Sequence, residues 1–186
     1  MIKGYLLLIT ISAVTSYAGV VGATDGAAIA ALPASVVVPL HEVGTQGIGH
    51  HAGQVSFTES RYGLVVTPPL EGLAPGFHGF HLYQNASCAP QKKSKKWISG
   101  GAAGVHYDPA ATNHHSSPWG DGHIGDLPSL YVDADGTSTR AVLAPRLQLS
   151  DLRGRTVMVH AGGDNHSDHP SALGGGGAHV ACGVIN

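Results

Sequence analysis

Residues 85–127, more than forty in a row, show hydrophobic periodicity of neither the helical nor the strand kind. A stretch that long is rare inside a compact domain, because its ordering entropy and its backbone polar groups must be compensated from elsewhere. Something other than secondary structure must hold it. The stretch contains Cys88 near its start and His106, His114, His115, His123 and Asp126 further on. A covalent tie and a bound metal would therefore supply the order. Three imidazoles and a carboxylate suit zinc, which takes four such donors tetrahedrally at about 2.0–2.1 Å. His106, His115, His123 and Asp126 are the expected ligands, at separations of nine, eight and three. Spacing alone leaves two alternatives open: His114 in place of His115, and plain surface histidines in a polar loop.

On either side of this stretch the chain reads as short strands. Residues 35–40 form the first, with Pro39 placing it at an edge or a bulge. Residues 54–59 put Val55 and Phe57 on one face, and residues 61–67 follow after a tight corner, so a hairpin is expected. Residues 77–83 form another strand. Residues 128–132 and 137–143, joined by a turn at 133–136, read as the clearest hairpin in the chain. Residues 156–160 and 180–185 complete the set, and residues 149–152 read as one helical turn. A second ordered loop, 161–178, ends in four consecutive glycines. Gly is 27 of 186 residues, about twice ordinary usage, which suits tight corners and ordered loops. The expected class is all-β, a sandwich or flattened barrel.

The N-terminus reads as an address. Lys3, an apolar run over 5–14, and small residues at Ser16 and Ala18 have the order of a secretory signal peptide, residues 1–18. A retained interfacial anchor is the alternative reading. Residues 19–34 then read as a flexible leader and 35–186 as one domain. The apolar run is too short for a comfortable membrane span. The expected location is the periplasm or the secreted fraction. In an exported chain the isolated pair Cys88 and Cys182 reads as one structural disulfide, with two separate buried thiols as the alternative. Twelve acidic against ten basic residues imply no nucleic-acid partner. Lys92, Lys93, Lys95 and Lys96 form a solvated loop or an interaction patch. His41, His50 and His51 are solvated, or scavenge metal if they converge. His81 lies on a strand whose period of two places residue 83 on the same face. A second metal there would want residues 81 and 83 together with His160, yet residue 83 is tyrosine.

Seven ordered motifs extend these readings: GFHGFH (76–81), GVHYDP (104–109), GHIGDLP (122–128), APRL (144–147), VHAGGDN (159–165), LGGGG (173–177) and ACGVI (181–185). Together they resemble the copper/zinc superoxide dismutases, and the bacterial exported branch in particular. The resemblance implies an eight-stranded Greek-key β-barrel of the sandwich type with two long ordered loops. It implies copper ligation by His81 and His160, and a copper–zinc bridge at His106. His115, His123 and Asp126 complete the zinc set. His78 would buttress the copper strand, and Asp164 would hydrogen-bond ligands of both metals. Cys88 and Cys182 match the family disulfide. Superoxide would be the substrate, oxygen and hydrogen peroxide the products, and the assembly a homodimer or a monomer.

Two positions depart from the family pattern. Tyr83 stands where the pattern has the fourth copper-binding histidine. His179 stands where it has the arginine that attracts and orients the anion. The zinc half is complete and the copper half altered, so the expectation is zinc binding with weak or absent copper and weakened or lost dismutation. An active dismutase that tolerates Tyr83 is the first alternative. A metal- or protein-binding module on the same barrel is the second. Tyr83 either packs into the space a metal would fill, stacks over it, or hydrogen-bonds elsewhere. His179 is a surface residue of a Gly-rich loop, or supplies the missing nitrogen.

Overall fold

Val38, Leu40, Val55, Phe57, Leu64 and Val66 are all buried, and each alternates with exposed or half-exposed neighbours. A period of two puts each strand's apolar set on one side of a sheet, and that side must be covered. The computed structural model describes residues 34–186, so the expected signal peptide and all but the last residue of the expected leader lie outside the described residues. In it the sheet covers its own face by curling. Strands β1 (Ser35–Gly44), β2 (Gly47–Ser60), β3 (Gly63–Thr67), β4 (Gly76–His78), β5 (Phe80–Tyr83), β6 (Gln91–Lys93), β7 (Lys96–Ile98), β8 (Leu130–Val132), β9 (Val142–Ala144), β10 (Arg155–His160) and β11 (His179–Ile185) follow one another along the chain. A single helical turn, α1 (Leu149–Leu152), precedes β10.

Seven strands form one antiparallel sheet in the order β5-β10-β11-β1-β2-β3-β9. Its two edges, β5 and β9, are joined through the small pair β4–β8, since β4 runs into β5 and β8 leads toward β9. Counting β4 and β5 as one interrupted strand gives the eight strands of the expected barrel. Leu40, Val55, Phe57, Phe80, Leu82, Leu127, Leu130, Val157 and Val159 fill the interior.

Four local expectations are corrected. The runs around the 133–136 turn do not form a hairpin with each other. The turn itself exists, with Gly136 N donating to Asp133 O at 3.0 Å, but β8 pairs with β4 and β9 with β3. Alternation and a good turn cannot say which neighbour completes a barrel. The strand expected over 77–83 is broken at Gly79, whose N–H donates to Gly162 O and whose carbonyl accepts from His160 N. The first strand continues past residue 40 to Gly44, and the second begins at Gly47, well before residue 54. Pro39 lies just before a register shift at Leu40/His41, and β11 pairs with β1 only at His41 and Glu42, so the missing proline donor disrupts no ladder.

The long aperiodic stretch is also less bare than its sequence suggests. The lysine run folds into the β6–β7 hairpin, with Ser94 and Lys95 at positive φ in its two-residue turn and all four lysines exposed. Cys88 and Cys182 form a disulfide across a sequence separation of 94. Further on, the stretch pairs with the free edge of β5. Tyr107 N donates to Leu82 O at 2.8 Å, Leu82 N to Gly125 O at 2.9 Å and Gln84 N to Val105 O at 3.0 Å. Gly125 permits this approach, because a side chain there would collide with the Leu82 carbonyl.

Candidate metal centre

Pairing with β5 carries the loop's histidines to the strand that bears His81. Isolated bridges join His81 to Asp126 and Tyr83 to His106. Across β5, Met158 of β10 sits opposite His81, and β10 ends in His160. Two donor clusters result, sharing His106. In the first, Asp126 Oδ1 lies 2.9 Å from His106 Nδ1, 2.8 Å from His115 Nδ1 and 3.1 Å from His123 Nδ1. In the second, His81, His106 and His160 converge, with His81 Nδ1 3.1 Å from His160 Nε2. All six side chains are buried.

The atoms fit a cation in both places. Ligands at about 2.05 Å from a tetrahedral ion stand about 3.3 Å apart, and the first cluster is only slightly tighter than that. His115 Nδ1 is buried beside Asp126 without a properly directed hydrogen bond, and His106 Nε2 is buried with no partner. Such orphans are costly without something to fill the gap. Protons on the far side of the rings point to the same conclusion. His81 Nε2 and His115 Nε2 face the two oxygens of Asp164 at 2.8 and 2.9 Å, and a carboxylate can only accept. His160 Nδ1 faces Gly177 O at 3.3 Å. With His160 Nδ1 carrying the proton, the lone pairs of His81 Nδ1 and His160 Nε2 face each other, an arrangement that a cation between them would satisfy. Asp164, its side chain shielded from solvent, holds one ring of each cluster. His78 donates from one nitrogen to an oxygen and meets a second with the other: His160 O at 2.6 Å and Ala74 O at 2.7 Å. It fastens the end of β10 to the loop before β4.

The profile of the family described as copper/zinc superoxide dismutase matches residues 51–185. The chain belongs to the copper/zinc superoxide dismutase family. It is 58% identical over 138 residues to the copper/zinc superoxide dismutase of Photobacterium leiognathi, covering 74% of this chain and 80% of that one. With the Haemophilus parainfluenzae enzyme it shares 52% over 182 residues, 97% of this chain and 96% of that one. The solved copper/zinc superoxide dismutase from Brucella abortus superposes with a TM-score of 0.81 at 49% identity, covering 82% of this chain and all of that one.

Within this family framework the structure separates several candidates. His115, not His114, enters the first cluster; His114 lies half-exposed against Asp121 at 3.0 Å. Tyr83 is 4% exposed, and its hydroxyl lies 3.1 Å from His160 Nε2 and 3.0 Å from His179 Nε2. His179 is not a loop surface residue. It opens β11, is half-buried, and its Nδ1 donates to Ser99 O at 2.7 Å. Its Nε2 is therefore an acceptor, and the Tyr83 hydroxyl donates to it. That nitrogen is engaged by Tyr83 in this structure.

Arg146 went unassigned at the level of sequence, although its APRL motif was a signal. Its guanidinium donates to the carbonyls of Pro118, Gly122 and His123, clamping the loop that presents His123 and Asp126. Hydrogen bonds from a charged donor are worth about 1.5–3 kcal/mol each when not compensated by water. Arg146→Ala is expected to lower stability by about 3 kcal/mol and to expose residues 117–124 to protease. Arg146→Lys should not restore protection, because an ammonium lacks the planar fork.

Burial alone would raise the Asp126 carboxyl, but hydrogen bonds from His106 and His123 and the close approach of the His115 ring hold it well below the usual carboxylate range. Asp164 is likewise held low against its burial by His115 and His81. Burial, with repulsion from neighbouring rings, lowers His81 to about 3 and His160 to about 2. His115 goes the other way: burial opposes its charge, but the Asp126 carboxylate against one nitrogen and the hydrogen bond to Asp164 from the other raise it to about 9. In the metal-free protein the depressed histidines make the unfolded chain bind more protons as pH falls below about 6.5. Raised His115 makes the folded chain bind more protons between about 6.5 and 9. Stability of chelator-treated protein should therefore peak at about pH 7, where the several depressed histidines and the one raised histidine balance, and decline on both sides. Zinc should shift the peak upward, since its ligands bind deprotonated. Thermal melts across pH, with and without zinc, measure both.

Proposed function

We propose that this chain is an exported, zinc-holding member of the copper/zinc superoxide dismutase family in which dismutation is weakened or lost. The observation that carries the reading is the Tyr83 hydroxyl. It occupies the space between His160 and His179, where the sequence resemblance places a fourth imidazole and an arginine. His106, His115, His123 and Asp126 are the zinc ligands in this reading, and His81, His106 and His160 remain for copper.

Copper there would exchange single electrons with superoxide, and zinc would contribute fixed charge. The chain's own residues determine how well it is held and reached. Asp164 fixes the proton on the outer nitrogen of His81 and His115, and so turns the other nitrogen of each inward. Tyr83 offers an oxygen in place of a nitrogen, and a neutral phenol is a poor copper ligand. Burial, with the nearby Asp126 charge, raises the phenol above its ordinary range, so it does not ionise to become a better one. His179 is pushed down by burial, and an imidazole in that position does not carry the fixed positive charge of an arginine that would draw in an anion. The cavity between Tyr83, His160, Gly176 and His179 measures about 390 Å³, ample for superoxide.

Mass spectrometry of protein purified from copper-supplemented cells, alongside a superoxide-consumption assay, tests the proposal. The expected result is a full complement of zinc, less than a full complement of copper, and slow consumption. Stoichiometric copper with a near-diffusion-limited, salt-sensitive rate would establish the alternative, an ordinary dismutase that tolerates Tyr83.

A further inference from the structure

Of the three histidines near the start of the domain, two meet. His41 of β1 and His51 of β2 are direct cross-strand partners, and their rings lie edge to face with centres 5.3 Å apart. Two imidazoles sharing one tetrahedral ion at about 2.0 Å have ring centres about 5.1 Å apart. The pair His106–His115, inside the metal centre, has the same 5.3 Å separation. His51 is exposed and His41 half-buried, so water can complete a coordination shell. The histidine–carboxylate pairs of the described residues engage His81, His106, His114, His115, His123 and His166, and leave His41 and His51 uncommitted.

The juxtaposition is built into the strand. Between Val43↔Ile48 and Leu40↔Gly53 the second strand carries two more residues than the first, and the two register shifts flank the His41↔His51 pair. Bulges of this kind re-aim side chains. Gly53 pins them, since it sits against Pro69 so closely that any side chain would collide with the Pro69 carbonyl. Slippage of the hairpin, which would separate the two rings, is thereby blocked. His50 falls in the irregularity between the His41↔His51 and Val43↔Ile48 pairs and is not paired with His41.

The site is separate from the main centre. Direct partners run in one row across five strands, from His51 to His41, Cys182, Met158 and His81. At about 4.8 Å per strand spacing the row runs about 19 Å around the curled sheet, and β10 and β11 lie between β1 and β5, so the two sites do not share an ion. We propose that His41 and His51 form a solvent-facing site for a transition-metal ion, with copper(II) preferred over zinc, as imidazole donors favour it.

The test is titration of copper(II) sulfate into the zinc-saturated full chain, read by nuclear magnetic resonance of the histidine rings and by equilibrium dialysis. Ring signals of both His41 and His51 should broaden together at sub-stoichiometric copper, while those of His50 stay sharper. His41→Ala and His51→Ala should each remove one dialysable copper or weaken it at least about tenfold, as losing even an outer partner of a metal ligand does. His50→Ala should change neither. His81→Ala should leave the His41 and His51 broadening intact, which separates this site from the main centre. The proposal is overturned if both rings stay sharp while copper loads elsewhere, or if His50→Ala is the change that loses the ion. The wild-type spectra decide even if a variant folds poorly.

Discussion

Tyr83→His will raise copper content toward a full complement and increase superoxide consumption in step with it. The position is already inside the site: β5 presents residues 81 and 83 to one face, and the Tyr83 ring lies 5.0 Å from that of His106. An imidazole is shorter than a phenol and ends in nitrogen, so it adds a donor without needing new space. Restoring a ligand should strengthen copper binding by at least about ten- to a hundredfold, the range that outer partners of metal ligands alone command. Recovery will be incomplete, because His179 loses its partner but gains no fixed charge. Tyr83→His with His179→Arg should recover more, and its rate should fall as salt rises, the mark of electrostatic steering. Copper by mass spectrometry and activity at two ionic strengths read both effects. If Tyr83→His gains copper but no activity, the phenol is not what limits dismutation and the proposed reading fails.

Zinc removal is the second large effect. Without the ion, three nitrogens crowd one Asp126 oxygen, and His115 Nδ1 stays buried beside it without a directed partner. Zinc at a thousand times its dissociation constant stabilises by about 4 kcal/mol. For a domain of this size that corresponds to roughly 8–16 °C in melting temperature. Chelation should lower the melting temperature by that amount. Proteolysis should rise between residues 108 and 124, beyond the segment that pairs with β5. Asp126→Ala should reproduce the loss in the presence of zinc. Equal melting and equal protection with and without zinc would remove the first cluster's assignment to that ion.

The way these two effects divide follows how the chain encodes the site. Period-two alternation in Val36–Leu40 and Val55–Phe57, and the absence of any long helical run, were enough for an all-β domain, since burial of one sheet face is a local property of the strand. The set of converging donor side chains was legible for a chemical reason: few residue types suit zinc or copper, and a forty-residue loop without periodicity needs such a tie. Pairing was not legible. The segment after β8 looked like half a hairpin, yet its strand joins β3, because a barrel closes by whichever edge is free. Choosing His115 over His114 also required the fold. Adjacent residues have equal spacing in sequence, and only the direction of the loop toward Asp164 separates the buried ring from the exposed one.

The same boundary runs through the altered face. Tyr83 and His179 are conspicuous in the sequence one at a time, 96 positions apart. Their hydrogen bond, and the Ser99 carbonyl that makes His179 its acceptor, exist only once β5, β11 and the disulfide-tied loop lie together. His41 and His51 became neighbours in the same way, through bulges that no hydrophobic pattern announces. Composition and periodicity determined the class of fold and the chemistry at its disposal, because each residue carries those properties alone. Which nitrogen holds a proton, and which group faces it, depends on pairs distant in sequence, and so was decided by the tertiary structure.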